Sequence, residues 1–378
     1  MQPKRIVITS DLLRVTAEKT SRKGFATNTN FFAAMLTPQI SAATRLPVSV
    51  LEWDDTSPFD GKAVYDAVGL DANAANWAKI FAADATDALC ALFLPHVENS
   101  LVVGFEMSPL LQKILNRLDI PFVDIRWHPL RFLDDIFFGF SSNRSEMSAA
   151  IASYALSGQE VDFHVGLHKA TAIRRSAFNK KRPSCETLIV GQTPFDASLI
   201  HDGRIVTLLD HEDSIAELAK IGSIAFRPHP FSPHPGPSLA TFLEHHGIPL
   251  VGSDIDMYEL LCDESLQRVV GLSSGTLDEA AFFGLPVTRF IPERFRYLPH
   301  VADAFQTDSE ALVYTGVYHA FLSVDFWADI FRSTLERTWP NGNPIPFKPD
   351  RLRHVNGSYW GLLNTGGNNL VMSYNTPE

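Results

Sequence analysis

Short β-branched runs alternate with longer amphipathic ones along most of the chain. In the first half, RIVITS (5–10), LPVSVLEW (46–53), SLVVGFE (100–106) and IPFVDIR (120–126) read as strands. Between them NFFAAMLTPQISAATR and SPLLQKILNRLD read as helices, the second carrying Leu110, Leu111, Ile114, Leu115 and Leu118 on one apolar stripe. Strand, helix, strand in that order predicts parallel pairing through right-handed crossovers.

A basic, Pro-containing stretch, RRSAFNKKRPSCE (174–186), interrupts the pattern and reads as a domain boundary. Beyond it the alternation resumes. ETLIVGQ, GRIVTLLD, SIAFRPHP, IPLVGS, RVVGLSS and LPVTRFI are strand candidates, and HEDSIAELAKIG, SLATFLEHHG, DMYELLCDE and TLDEAAFFG are helices. The expected fold is α/β, with two Rossmann-like domains, residues 1–180 and 187–340, facing each other across a cleft. Residues 341–378, rich in Asn, Gly and Pro, are expected to form an irregular tail packed back on them. A ligand is expected in the cleft, at the carboxyl ends of the strands.

Composition narrows the partners. At 378 residues, 45% of them hydrophobic, the chain can bury two cores of ordinary size. A formal charge of −11 argues against a protein held to nucleic acid by its net field. Cys90, Cys185 and Cys262 fit no disulfide or metal spacing, so a reducing cytosol is the simplest compartment. The opening MQPKRIVITSDLL lacks the apolar core of a signal peptide, and no apolar run is long enough to span a bilayer. The expected location is cytoplasmic, with membrane association, if any, peripheral and at the inner face of the cytoplasmic membrane. No metal or cofactor is expected: no H-E-x-x-H or paired-Cys spacing occurs, and His245 and His246, adjacent on a helix, point apart. The absence of G-x-x-x-x-G-K-[ST] and G-x-G-x-x-G removes the common NTPase and NAD readings.

The candidate chemistry lies at strand ends. In VVGLSSGTLDEAAFFGLPV (269–287), Ser273, Ser274, Gly275 and Thr276 form a polar loop opening a helix, a site for an anion such as phosphate. Glu279 follows about one turn later, where a carboxylate can accept from ribose hydroxyls; an ordinary capping box over a buried helix is the alternative. In IAFRPHPFSPHPG (224–236), His229 sits between prolines at a strand end, with Arg227 and Pro230 beside it, and can reach the same cleft. Arg227 is equally suited to a structural ion pair, and His234 reads as part of a stiff surface turn.

R-P-H-P after an apolar strand, followed farther on by S-S-G-T and E-A-x-x-x-G-x-P-V, is similar to the donor domain of GT-B sugar transferases that use CMP-activated sugars. LIVGQTPFDASL (188–199) more narrowly resembles the bacterial β-Kdo transferases of capsule and lipopolysaccharide synthesis, Kdo being 3-deoxy-D-manno-oct-2-ulosonic acid. GFEMSP (104–109) and DIRWHPLRFLDD (124–135) resemble that family's acceptor domain. The resemblance implies retaining transfer of Kdo from CMP-β-Kdo to a saccharide acceptor, including a lipid-linked one, through a covalent sugar–carboxylate intermediate. Asp196 would be the nucleophile, His229 with Ser273, Ser274 and Thr276 would hold the donor phosphate, and Glu279 the ribose. Gln192 and Gly275 belong to the same donor motifs.

From the residues themselves, retention by double displacement needs a carboxylate opposite the leaving group and a second group to activate the acceptor. Asp196 stands at the end of a strand on the cleft edge, where an N-cap aspartate is the alternative. Glu106, ending SLVVGFE, is the candidate acceptor base, with an ion pair to Arg126 or Arg131 as the competing role. Arg126, His128 and Arg131 are candidates to bind the Kdo carboxylate or an anionic acceptor, and a loop salt-bridged to Asp134 and Asp135 explains them as well. Asp11 and an Asn28–Asn30 loop are further cleft candidates. The competing functions are another CMP- or CDP-dependent transferase, moving sialic acid or a polyol phosphate, and a two-domain ligand-binding or sensory protein.

Overall fold

A computed structural model describes residues 2–15, 23–54, 57–176, 184–194, 196–252, 255–302, 304, 306–342 and 350–359. Thirteen strands run along these residues. They are β1 (Arg5–Ser10), β2 (Val48–Val50), β3 (Ser100–Phe105), β4 (Phe122–Trp127), β5 (Phe138–Ser142), β6 (Thr187–Val190), β7 (Ile200–His201), β8 (Arg204–Ile205), β9 (Ile224–Arg227), β10 (Arg268–Gly271), β11 (Val287–Arg289), β12 (Glu293–Leu298) and β13 (Thr307–Val317).

The first sheet has seven strands in the order β12-β13-β5-β4-β3-β1-β2. Every residue of β3 is buried, as a strand covered by helices on both faces requires. One face packs on the helix Lys23–Thr44 through Phe31, Phe32, Leu36 and Ile40; the other packs on the helix Pro109–Arg117 through Leu110, Leu111, Ile114 and Leu115. The second helix starts where the sequence places it: Pro109 takes the first turn and the Ser108 side chain accepts from the Leu111 amide. The second sheet, β11-β10-β6-β9, is wholly parallel and also has apolar clusters on both faces.

The two-unit α/β architecture facing across a cleft is therefore present, and the units differ from expectation in their bounds. The second sheet ends at Arg289, short of residue 340, and the chain returns to the first unit. There β13 pairs antiparallel with β5, and Phe326, Trp327 and Phe331 of the helix Val324–Phe331 complete the core around Phe140. Burial of those large aromatics drives the return. The first sheet is consequently mixed, since β5 runs antiparallel to both β4 and β13. IPLVGS contributes only an isolated bridge, Phe226 to Leu250, and GRIVTLLD gives β8 and a short 3₁₀ turn instead of one strand. Of the basic boundary stretch, residues 177–183 lie outside the described residues, and Arg174–Ser176 finish the helix Gly158–Ser176. Of the tail, 343–349 and 360–378 lie outside them, while Arg351–Tyr359 is a helix with Leu352 buried in the first core.

Candidate functional site

In the second sheet the chain passes from β6 to β9 on one side and reaches β10 and β11 on the other, which makes the carboxyl ends of β6 and β10 a topological switch point. The loops that leave those ends are tied together. Gln192 Oε1 accepts from the Ser273 amide at 2.8 Å, and its Nε2 donates to Ser273 Oγ at 2.9 Å and Ser198 Oγ at 3.3 Å. The two hydroxyls lie 3.0 Å apart. Gly191 is needed for the crossing: a Cβ there would stand 3.0 Å from the Phe226 ring and 3.2 Å from the His229 amide.

Asp196 caps the 3₁₀ turn Ala197–Leu199, its Oδ1 accepting from Ser198 N and Ser198 Oγ, both at 2.8 Å. The capping role that sequence offered as the alternative is thus filled by one oxygen. Oδ2 has no hydrogen bond among the described residues, and the side chain lines the cleft. His229 Nδ1 accepts from the Phe231 amide at 3.1 Å, which puts the proton of the neutral ring on Nε2. Burial holds this imidazole below its usual pKa, against the pull of the Asp196 carboxylate. Ser274 caps the helix Gly275–Phe282 and accepts from the Thr276 amide at 3.4 Å, so the expected cap is present without Glu279 completing a box. Arg227 is buried and donates to the Gly252 carbonyl at 3.0 Å. Pro230, Gly275 and Thr276 line the cleft with them, and His234 is exposed.

The opposite wall belongs to the first unit. Glu106 follows β3 with φ 52°, a left-handed conformation that turns the chain out of the sheet, while its amide still donates to Ile125 O at 2.8 Å. Burial pushes its carboxyl upward; Arg126 pulls it down, and the Asp196 carboxylate pushes it up again. Glu106 and Asp196 line the cleft from its two walls. Arg126 is held from behind: its Nε lies 3.1 Å from Asp124 Oδ2, its guanidinium bonds the Met107 carbonyl, and it stacks 3.8 Å over the Phe295 ring. Asp124 also accepts from the Met107 amide at 2.9 Å, Gln112 Nε2 at 3.0 Å and Tyr314 OH at 2.7 Å. Arg131 lies 5.3 Å over Trp127 and has no ion pair among the described residues.

Several alternatives read from sequence fall away here. Asp134 and Asp135 do not pair with Arg126 or Arg131. Asp135 accepts from the Leu352 and Arg353 amides at 2.7 and 2.8 Å and from His319, and Asp134 lies 3.9 Å from His164. His128 is not on the cleft wall. It is buried, stacked 4.2 Å from Phe137, and burial pushes its pKa down to about 3, so it cannot serve as a cationic ligand near neutrality. Asp11 is buried beneath, accepting from Trp77 Nε1 at 2.9 Å; Asn28 lines the cleft, though from inside the helix Lys23–Thr44 and not from a loop.

Glu279 joins the two units. Its Oε1 accepts from the Arg131 amide at 2.7 Å and from Tyr258 OH at 3.0 Å, and burial raises its pKa to about 7. Gly275 marks the same seam, where an added Cβ would stand 3.1 Å from Pro129. The resulting cleft has a volume of about 810 Å³, within the range of small-molecule sites, and both units line it. Among its walls sequence reasoning missed Ser198, though D-A-S was in view, and Tyr258, which has no motif. It also missed Arg289, held 3.0 Å from Asp278. Among the described residues no group of three or more His, Cys, Asp or Glu gathers as metal ligands would, and no helix is long and apolar enough to cross a membrane.

No family model matches the chain, and no curated protein matches its sequence. Among solved structures, KpsC of Thermosulfurimonas dismutans, a β-Kdo 2,7 transferase, is similar with a TM-score of 0.31 and 14% identity, over 55% of this chain and 70% of that one. A likeness so distant leaves the functional reading to the residues of the cleft.

Proposed function

We propose that this chain is a retaining glycosyltransferase that moves β-Kdo from CMP-β-Kdo to a saccharide acceptor of a bacterial surface polysaccharide, acting at the cytoplasmic side. The observation that carries the reading is that two carboxylates, Asp196 and Glu106, line one cleft from opposite walls, together with the Nε2 donor of His229 and the Ser273–Thr276 loop, which Ser198 ties to Asp196.

In this reading Asp196 Oδ2 attacks the anomeric carbon of Kdo, and the bond to the CMP phosphate oxygen breaks with its electron pair leaving on CMP. The Nε2–H of His229 and the hydroxyls of Ser273, Ser274 and Thr276 donate to that phosphate. In the second step the acceptor hydroxyl gives its proton to Glu106 while its oxygen displaces Asp196 from the anomeric carbon. Two inversions give net retention. A raised pKa makes Glu106 the stronger base for this task. Glu279 offers Oε2 to the ribose hydroxyls, because Oε1 is engaged. Arg131, without an ion pair, suits the Kdo carboxylate better than Arg126, which is committed to Asp124.

Incubation with CMP-β-Kdo followed by intact-mass measurement tests the reading. The expected result is a mass increase of one Kdo residue that disappears in Asp196→Ala. An unmodified protein, together with full transfer by that variant, would sink it. Release of CMP from CMP-sialic acid alone, or turnover of a CDP-polyol alone, would reassign the donor.

A further inference from the structure

We propose that the outward face of the helix Gly158–Ser176 docks the protein on an anionic lipid bilayer. The helix is apolar on two opposite sides. Val161, Val165 and Ala172 are buried, the first two in the core shared with Leu130, Phe132 and Phe137. At about 100° per residue, Phe163, Leu167, Ala170 and Arg174 fall on one line directly across from them. Phe163 is 62% exposed and Leu167 48%; Ile173, 71% exposed, stands about 90° round the helix from that line. A helix lying on a soluble core ordinarily turns polar side chains outward, and an apolar outer stripe marks an interaction surface.

Charge selects the partner. From Phe163 to Cys185 the sequence contains no Asp or Glu, and it carries Lys169, Arg174 and Arg175 within the helix, in a chain whose net charge is −11. Arg174 has no ion pair among the described residues; Arg175 lies 3.0 Å from Glu259, and Lys169 lies 5.9 Å from the Phe283 ring centroid. Acid stays at the other end, at Glu160 and Asp162, so contact is weighted to the basic half. Aromatic and aliphatic side chains beside exposed basic ones are what a helix needs to lie in an anionic headgroup layer.

The same helix supports the cleft from its inner side. His168 Nε2 bonds the Phe132 carbonyl at 2.8 Å, its ring packs 4.7 Å from Tyr258, and the Tyr258 hydroxyl donates to Glu279. One layer of side chains thus separates the docking face from the cleft wall, which suits an acceptor that is itself anchored in the bilayer. The docking claim stands on the helix and does not depend on the donor chemistry.

Cosedimentation of the full chain with phosphatidylcholine vesicles, with and without phosphatidylglycerol, tests it. Binding is expected only to the anionic vesicles and should weaken as salt is raised. Replacing both Phe163 and Leu167 with Ser should lower the partition coefficient at least about tenfold, and Arg174→Ala about fivefold. Ile221→Ser, at an exposed apolar residue elsewhere, should change nothing. Absence of binding to anionic vesicles, or binding that the double variant retains, would overturn the proposal. So would a dimer in solution that the double variant dissolves while vesicles are ignored, which would give the face to a second copy.

Discussion

On the wall from the first unit, Arg126 is fixed from behind by a buried set of groups: Asp124, itself held by Gln112 and Tyr314, and the Met107 backbone. On the opposite wall, Asp196, Ser198, Gln192 and Ser273 hold one another sideways, as short side chains on loops at strand ends. The first wall rests on a buried ion pair, whose loss leaves a charge stranded; the second rests on part-buried hydrogen bonds, each worth little to the fold. Damage behind the first wall should therefore unfold the protein before it alters the chemistry. Damage to the second should do the reverse.

Asp124→Ala breaks the comparison most severely. It removes the counter-charge of buried Arg126 and is expected to cost about 3–5 kcal/mol in urea unfolding, whereas Asp196→Ala should cost about 1 kcal/mol, the value of a lost cap. Equal costs would show that the walls are not built differently. Glu106→Gln should slow transfer about 10²-fold or more while CMP binding, followed by calorimetry, stays unchanged.

Glu279 spans both walls and gives the comparison a pH dependence. Its carboxyl keeps its proton in the folded protein up to about pH 7, against 4.5 for an ordinary glutamate. Its contribution is then complete below pH 4.5 and is lost as pH rises through 7. The fall should amount to about 3 kcal/mol, and Glu279→Gln should flatten it; a slope equal to wild type would refute the assignment. Smallest is His229→Ala, expected to raise the donor KM about tenfold through one lost hydrogen bond while the unfolding midpoint stays put.

Much of this was legible in the chain. RIVITS, SLVVGFE and IPFVDIR became β1, β3 and β4 because β-branched runs favour the extended backbone, and parallel neighbours satisfy its hydrogen bonds once both faces are covered. The R-P-H-P and S-S-G-T stretches reached one cleft because parallel topology gathers strand ends. What escaped was set by partners distant in sequence. ERFRYL and TDSEALVYTGV carry charges that hide two strands until β5 offers its edge. Arg126 and His128 look alike in DIRWHPLR, yet Arg126 meets Asp124 within β4, while His128 lies beyond the strand and is buried on Phe137. Tyr258 matters only because folding lays it against Glu279 from another helix.

The return of β12 and β13 to the first sheet also delays that sheet's completion until the chain has passed through the second unit. A nascent chain released or cut near residue 180 would contain β1 to β5 with the β5 edge unpaired and Phe140 lacking its cover from Trp327 and Phe326. An open strand edge above an uncovered aromatic core is prone to aggregate. The second unit is therefore an insertion that must emerge from the ribosome before the unit that begins first can be finished. Expressing the two halves as separate polypeptides at that point would leave the first wall without Tyr314 and Phe295, which hold Asp124 and Arg126.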